Sequence, residues 1–186
     1  MDYIFGSFYI LKNKVYNFDL EKSTQIVPRM EPVLPWYKQY SYFYSTSNQI
    51  INGLFLGSSF NAYCLNELKA NNIGVVINVT WEIDNYHENT TDIKYYKFPV
   101  LDDNNDDIVP ILTQTYDIID RHLTQGDNIL VHCYMGASRS ASVIIYYLMN
   151  KNNWTYNQAR TYVSAKRPLV NLSQKFNTIL KSFEMD

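Results

Sequence analysis

The chain has 186 residues, enough to bury the core of one domain that carries an extension. Its 16 Lys and Arg against 18 Asp and Glu leave a net charge of −2, which removes any bulk electrostatic case for nucleic acid or for a membrane surface. No apolar run approaches the ~18 residues of a membrane span, and the start lacks the basic, apolar, small-residue order of a signal peptide; a cytoplasmic or otherwise intracellular protein is expected.

Taken in order, residues 1–47 read as a Tyr- and Pro-rich extension. Residues 3–5 and 8–11 suggest short apolar strands, with residues 12–14 turning the second into a hairpin with 15–18. Pro28, Pro32 and Pro35 then break regular structure ahead of a dense aromatic run at 36–44. Those rings either staple the extension to the rest of the chain or offer a surface to a partner or a second copy.

From Ile50 the pattern becomes α/β. Residues 54–57 form a strand, and Ser58 or Ser59 caps a helix running to about residue 71, with Cys64 packed in it. Gly74 falls in the turn before the strand at 75–79. A polar loop at 81–89 contains His87, with no neighbours that suggest a metal. A strand at 94–100 leads into the acidic loop 101–107, whose Asp and Asn spacing lacks the glycine and closing glutamate of an EF-hand; no metal and no cofactor are expected.

Helical spacing over 111–123 stops at Gly126, with His122 on the surface near that end. Residues 128–131 make a buried strand and 140–149 a buried helix. Thr155 with Gln158 forms a capping box for the next helix, and Asn171 or Ser173 starts the last, with Phe176, Ile179, Leu180 and Phe183 as its apolar face. Alternating strands and helices imply an α/β fold: a mostly parallel central sheet with helices on both faces, and a site at the carboxyl ends of the strands. Thr80 and the segment after Val131 both lie at such ends.

That segment, 131–140, holds the chemistry. A turn from buried strand to buried helix aims backbone N–H groups at one spot, where the helix N-terminus adds about half a positive charge. Tyr134, Met135, Gly136, Ala137 and Ser138 form the ring, Arg139 closes it with a planar fork for two phosphate oxygens, and Gly136 supplies the turn. Cys133 in that field ionises readily, attacks phosphorus and passes the phosphoryl group to water. Ser140 is placed to hydrogen-bond the sulfur, while His132 orients the loop. The competing reading is an inert packed cysteine.

The string His132-Cys133, five residues, Arg139-Ser140 resembles the signature of the dual-specificity branch of the cysteine-dependent protein tyrosine phosphatases. With YYLM and AKRP further on, residues 48–186 are most similar to the catalytic domains of mitogen-activated-kinase, slingshot and small atypical phosphatases, and the resemblance implies an opening strand at 52–57 and a second at 73–80. The resemblance implies a general acid shortly after a strand and about thirty residues before the cysteine, which Asp102 fits best and Asp103 next. Asp106 and Asp107 are then solvated loop.

The loop carries none of the lysines of lipid-phosphate members, and the stretch between Asn48 and the second strand leaves no room for the long loop that deepens tyrosine-only pockets. Phosphotyrosine and phosphoserine or phosphothreonine of proteins are the implied substrates. A binding module that holds phosphoproteins with weak catalysis, an RNA 5′-phosphatase, and a protein acting chiefly through its N-terminal segment are the rival readings. Leu172-Ser173 replaces the family's Pro-Asn, so Ser173 is expected to supply part of that asparagine's hydrogen bonds beneath the loop. The two cysteines point to a reducing compartment, with Cys64 either merely packed or a trap for oxidised Cys133.

Overall fold

The computed structural model describes residues 35–101 and 108–184, all within one unit of the chain, Val33–Asp186. The strands and hairpin expected at 3–18, the Pro28 and Pro32 breaks, and the acidic segment Asp102–Asp107 lie outside the described residues.

Five strands form one sheet in the order β1-β2-β5-β3-β4. They are β1 Asn48–Ile51, β2 Leu54–Gly57, β3 Ile73–Asn78, β4 Lys94–Lys97 and β5 Asn128–His132. All neighbours run parallel except β1, which pairs antiparallel with β2. Asn52-Gly53 is the hairpin turn between those two, with Gly53 at φ +78°, rather than the beginning of a strand.

Period-two alternation divides the sheet into two faces. Leu54, Leu56, Val75, Ile77, Ile129 and Val131 enter one core cluster; Phe55, Val76 and Leu130 enter the other. Helices cover both faces, as the alternating pattern implies. α1 (Trp36–Tyr44), α2 (Ser59–Tyr63) and α3 (Leu65–Ala70) precede β3, and α4 (Val109–Gln125) precedes β5. α5 (Arg139–Asn152), α6 (Tyr156–Lys166) and α7 (Gln174–Ser182) follow it. Side chains of α4 to α7 fill the larger cluster, while Ala62 of α2 and Leu68 of α3 fill the smaller.

The single helix expected from Ser58 to residue 71 is two. Cys64, at ψ 87°, ends α2 and begins α3, and the carbonyl of Tyr63 is taken by His87 Nε2 at 2.9 Å instead of continuing the helical ladder. β4 stops at Lys97, short of residue 100, because Pro99 has no N–H to give the ladder. Gly126, at φ +86°, closes α4 as expected. His122, expected on the surface, is instead buried: Nδ1 meets Asp127 Oδ2 at 2.6 Å and Nε2 meets the Tyr96 hydroxyl at 2.9 Å.

α1 lies against α2. The Phe43 and Tyr44 rings pack on Phe60, with centroids 6.3 and 4.9 Å away, and Ser58 Oγ donates to the Phe43 carbonyl. For residues 36–44 the stapling contact is therefore real, while Tyr37 and Tyr40 stay exposed. Among the described residues no helix is long and apolar enough to cross a membrane.

Candidate active site

β5 ends at His132, and α5 begins at Arg139, so residues 133–138 form the connecting loop at the carboxyl end of a central strand. Its carbonyls are tied to the scaffold one after another. Tyr134 O accepts from Ser59 N–H at 3.0 Å, and Ala137 O from Asn171 N–H at 2.9 Å. Met135 O and Gly136 O accept from Arg167 Nη2 and Nε at 2.9 and 2.8 Å. Ser138 O accepts from the Ser142 N–H and Oγ at 2.8 and 2.9 Å. In a planar trans peptide the N–H lies opposite the C=O, so anchoring these carbonyls outward turns the amides of residues 135–139 toward the inside of the loop. The fold thereby builds a ring of donors for an anion.

Gly136 makes the tightest point of that loop. It sits at φ +69°, and a Cβ there would lie 2.3 Å from Gly57 O. Cys133 is buried at the base, where Ser140 Oγ donates to Sγ at 3.2 Å. Both cysteines are free thiols, Cys64 half-buried at the α2–α3 junction. His132 is buried with Nδ1 3.4 Å from Cys133 O, and burial foremost pushes its imidazole down to about 4. It is thus neutral at physiological pH and is suited to orientation rather than to carrying charge.

The guanidinium of Arg139 is held by a residue that the sequence reading left in a polar loop. Nη1 and Nη2 donate to the two carboxylate oxygens of Glu82, each at 2.8 Å, and Nη1 also donates to Val100 O at 3.0 Å. The Glu82 loop is itself fixed: Asn78 Nδ2 donates to Ile83 O at 2.8 Å, and Thr80 Oγ1 to Asn78 Oδ1 at 2.7 Å. Ser173 contributes otherwise than expected. Its backbone N–H donates to Ser138 Oγ at 3.3 Å, while its hydroxyl caps α7 by accepting from Phe176 N–H. Arg167, in the sequence one residue of AKRP, is the main support beneath the loop.

Tyr134 and Met135 are half-buried at the rim, and the Tyr134 ring lies 5.7 Å from that of Phe43. Asp102 and Asp103 fall outside the described residues. No group of three or more His, Cys, Asp or Glu side chains that could hold a metal occurs among the described residues.

A five-stranded α/β sheet with a cysteine-based anion loop after its central strand defines the phosphatase class that the sequence motif resembles. The chain belongs to the family described as "Dual specificity phosphatase, catalytic domain", whose model matches residues 54–186. Protein phosphatase Slingshot of Drosophila melanogaster is 36% identical over 135 residues, 73% of this chain and 13% of that protein. Its Xenopus laevis homologue is 36% identical over 137 residues, 74% of this chain and 20% of that protein. The crystal structure of human DUSP28 superposes with a TM-score of 0.69 at 25% identity, covering 74% of this chain and 92% of the other. This chain therefore spans a fifth or less of those two Slingshot proteins.

Proposed function

We propose that the protein hydrolyses phosphomonoesters on proteins, phosphotyrosine as well as phosphoserine and phosphothreonine, through a phosphocysteine intermediate. The observation that carries this reading is the Ser140 Oγ–Cys133 Sγ contact of 3.2 Å at the base of a loop whose carbonyls from Tyr134 to Ser138 are each tied down by a hydrogen bond. The thiolate attacks phosphorus while the ester P–O bond breaks, and the departing oxygen takes a proton from a carboxylic acid. The inward amides and Arg139 meet the charge that builds on the equatorial oxygens. Because Glu82 holds the Nη1–Nη2 end of Arg139, the phosphate is gripped along the Nε–Nη2 edge.

In the second step water attacks the phosphocysteine, the carboxylate takes the water's proton, and the S–P electron pair returns to sulfur. The Ser140 hydroxyl stabilises that returning charge. Asp102 is the proposed acid and base. Val100 O already touches Arg139, and two residues of chain reach at most about 7 Å from there.

The uncharged loop positions Tyr134, Met135, Ala137 and Ser138 favour a phosphoprotein over a polyanionic lipid. We place the catalytic domain at 48–186, with residues 36–47 packed against it, in a reducing intracellular compartment that keeps Cys133 a thiol. The test is phosphate release from matched phosphotyrosine and phosphothreonine peptides by the wild type and by Cys133→Ser. Release from both peptides by the wild type alone is expected. Release by the serine variant overturns the mechanism, and release from phosphotyrosine alone overturns dual specificity.

A further inference from the structure

The large aromatic and aliphatic side chains left exposed among the described residues all belong to segments at one end of the sheet. Tyr37, Tyr40 and Tyr44 are on α1, and Tyr63 ends α2. Trp81 and Tyr86 lie in the segment after β3, and Leu101 follows β4. α2, the segment after β3 and Leu101 all come after the carboxyl ends of parallel strands. α1 leads into β1, which runs antiparallel with Asn48 opposite Leu56, so it too meets the sheet at the carboxyl end of β2. The phosphate loop, after β5, occupies the same end. Helices α4 to α7 contribute none of these exposed side chains.

The rings are contiguous. Between centroids, Tyr40 lies 4.8 Å from Tyr44, Tyr44 lies 4.9 Å from Phe60, and Phe43 lies 5.7 Å from Tyr134 of the phosphate loop itself. One helical turn along α2 from Phe60, Tyr63 continues the row to Tyr86 at 5.3 Å. His87 Nε2 holds the Tyr63 carbonyl at 2.9 Å, so that end of the row is fixed through the backbone as well. Trp81, 61% exposed, is the residue before Glu82, whose carboxylate holds Arg139. Apolar positions therefore border the phosphate loop at its Tyr134 end and at its Arg139 end.

Contiguous apolar surface left open to water marks a place for a partner. Tyr134 decides which one, because it belongs to the phosphate loop and to the row at once: a chain that brings a phosphate into the loop lies against the rings. The carboxylates between Trp81 and Tyr86 are already matched, Glu82 with Arg139 at 2.8 Å and Asp84 with Lys97 at 2.7 Å. What the surface offers instead is broad, rigid ring faces, which order at low entropic cost. We propose that this row is a docking surface for the substrate, and that it takes an extended phosphopeptide with apolar residues beside the phosphorylated one in preference to a peptide flanked by acidic or basic residues. The proposal rests on the phosphatase reading and narrows its substrate class.

The test uses phosphotyrosine peptides of equal length, flanked by leucine and phenylalanine, by glutamate, or by lysine. For the wild type, kcat/KM for the apolar-flanked peptide exceeds the others by about tenfold or more, and the Kd values of Cys133→Ser follow the same order. Tyr63→Ser with Tyr86→Ser, and separately Tyr40→Ser with Tyr44→Ser, keep wild-type turnover of p-nitrophenyl phosphate while the preference shrinks by about threefold or more. Should one double variant lose that turnover, the other decides. Equal kcat/KM for all the peptides, a preference for a charged flank, or a preference unchanged in the double variants overturns the docking role. So does a dimer, seen by light scattering and dissolved by the same substitutions, with all the peptides hydrolysed alike; the row would then belong to a second copy. A wild type that turns over nothing, while Cys133→Ser binds the peptides in the expected order, refutes the phosphatase reading and leaves the docking surface standing.

Discussion

Glu82 holds Arg139 by both ends of its fork, with two bonds of 2.8 Å across 57 residues of sequence. The pair fixes the plane of the guanidinium before a phosphate arrives, which is the geometric condition for gripping two oxygens at once. Glu82→Ala should therefore lower kcat/KM for an aryl phosphate by about 100-fold and weaken inhibition by vanadate. Glu82→Gln, which retains one acceptor, should fall between. An alanine variant that binds vanadate as tightly as the wild type would show that the carboxylate is incidental.

Gly136→Ala tests the loop itself. The added Cβ would lie 2.3 Å from Gly57 O at a residue already at φ +69°. The backbone strain alone costs about 1–3 kcal/mol, and the clash pushes the loop off β2. Loss of both activity and several degrees of unfolding temperature is expected. Wild-type kinetics in the alanine variant would mean that the loop is far more pliable than its anchors imply.

His132 sets a pH dependence of stability. Its imidazole is pushed down to about 4 when folded, against an ordinary value of 6.5 when unfolded. Between those values the unfolded chain binds the proton and the native one does not. The contribution is therefore complete above pH 6.5, declines as pH falls, and is exhausted near pH 4. Its size is of the order of 3 kcal/mol at most. Urea midpoints at pH 7.5 and 4.5 should differ more for the wild type than for His132→Gln. Equal differences would remove His132 from the account.

Asp102→Asn should slow alkyl phosphates more than aryl phosphates, because a poor leaving group depends more on protonation. The ratio of the two effects is read from steady-state kinetics. A larger effect from Asp103→Asn would move the acid one residue along.

What the sequence made legible is what depends on near neighbours. The buried strand, the glycine turn and the apolar helix around Cys133 follow from hydrophobic runs and one motif. The Thr155–Gln158 capping box and the Ser173 cap span three residues each, and both form. Asn52-Gly53 was equally local, but its hairpin signal was absorbed into the strand that follows. The features that escaped are made across the chain. Glu82 reads as one acid in a polar loop until the fold brings it to Arg139. Arg167 reads as a helix end until it meets Asn48, 119 positions away. His122 looks like a surface histidine because Tyr96 and Asp127, which bury it, belong to other elements.

The most direct test of the central claim is hydrolysis of p-nitrophenyl phosphate from pH 5 to 8 by the wild type and by Cys133→Ser, with chelator present throughout. The account predicts turnover by the wild type, undiminished by chelator, and none by the serine variant. Equal turnover by both proteins, or silence in both while phosphopeptide binding persists, would contradict a cysteine-dependent phosphatase.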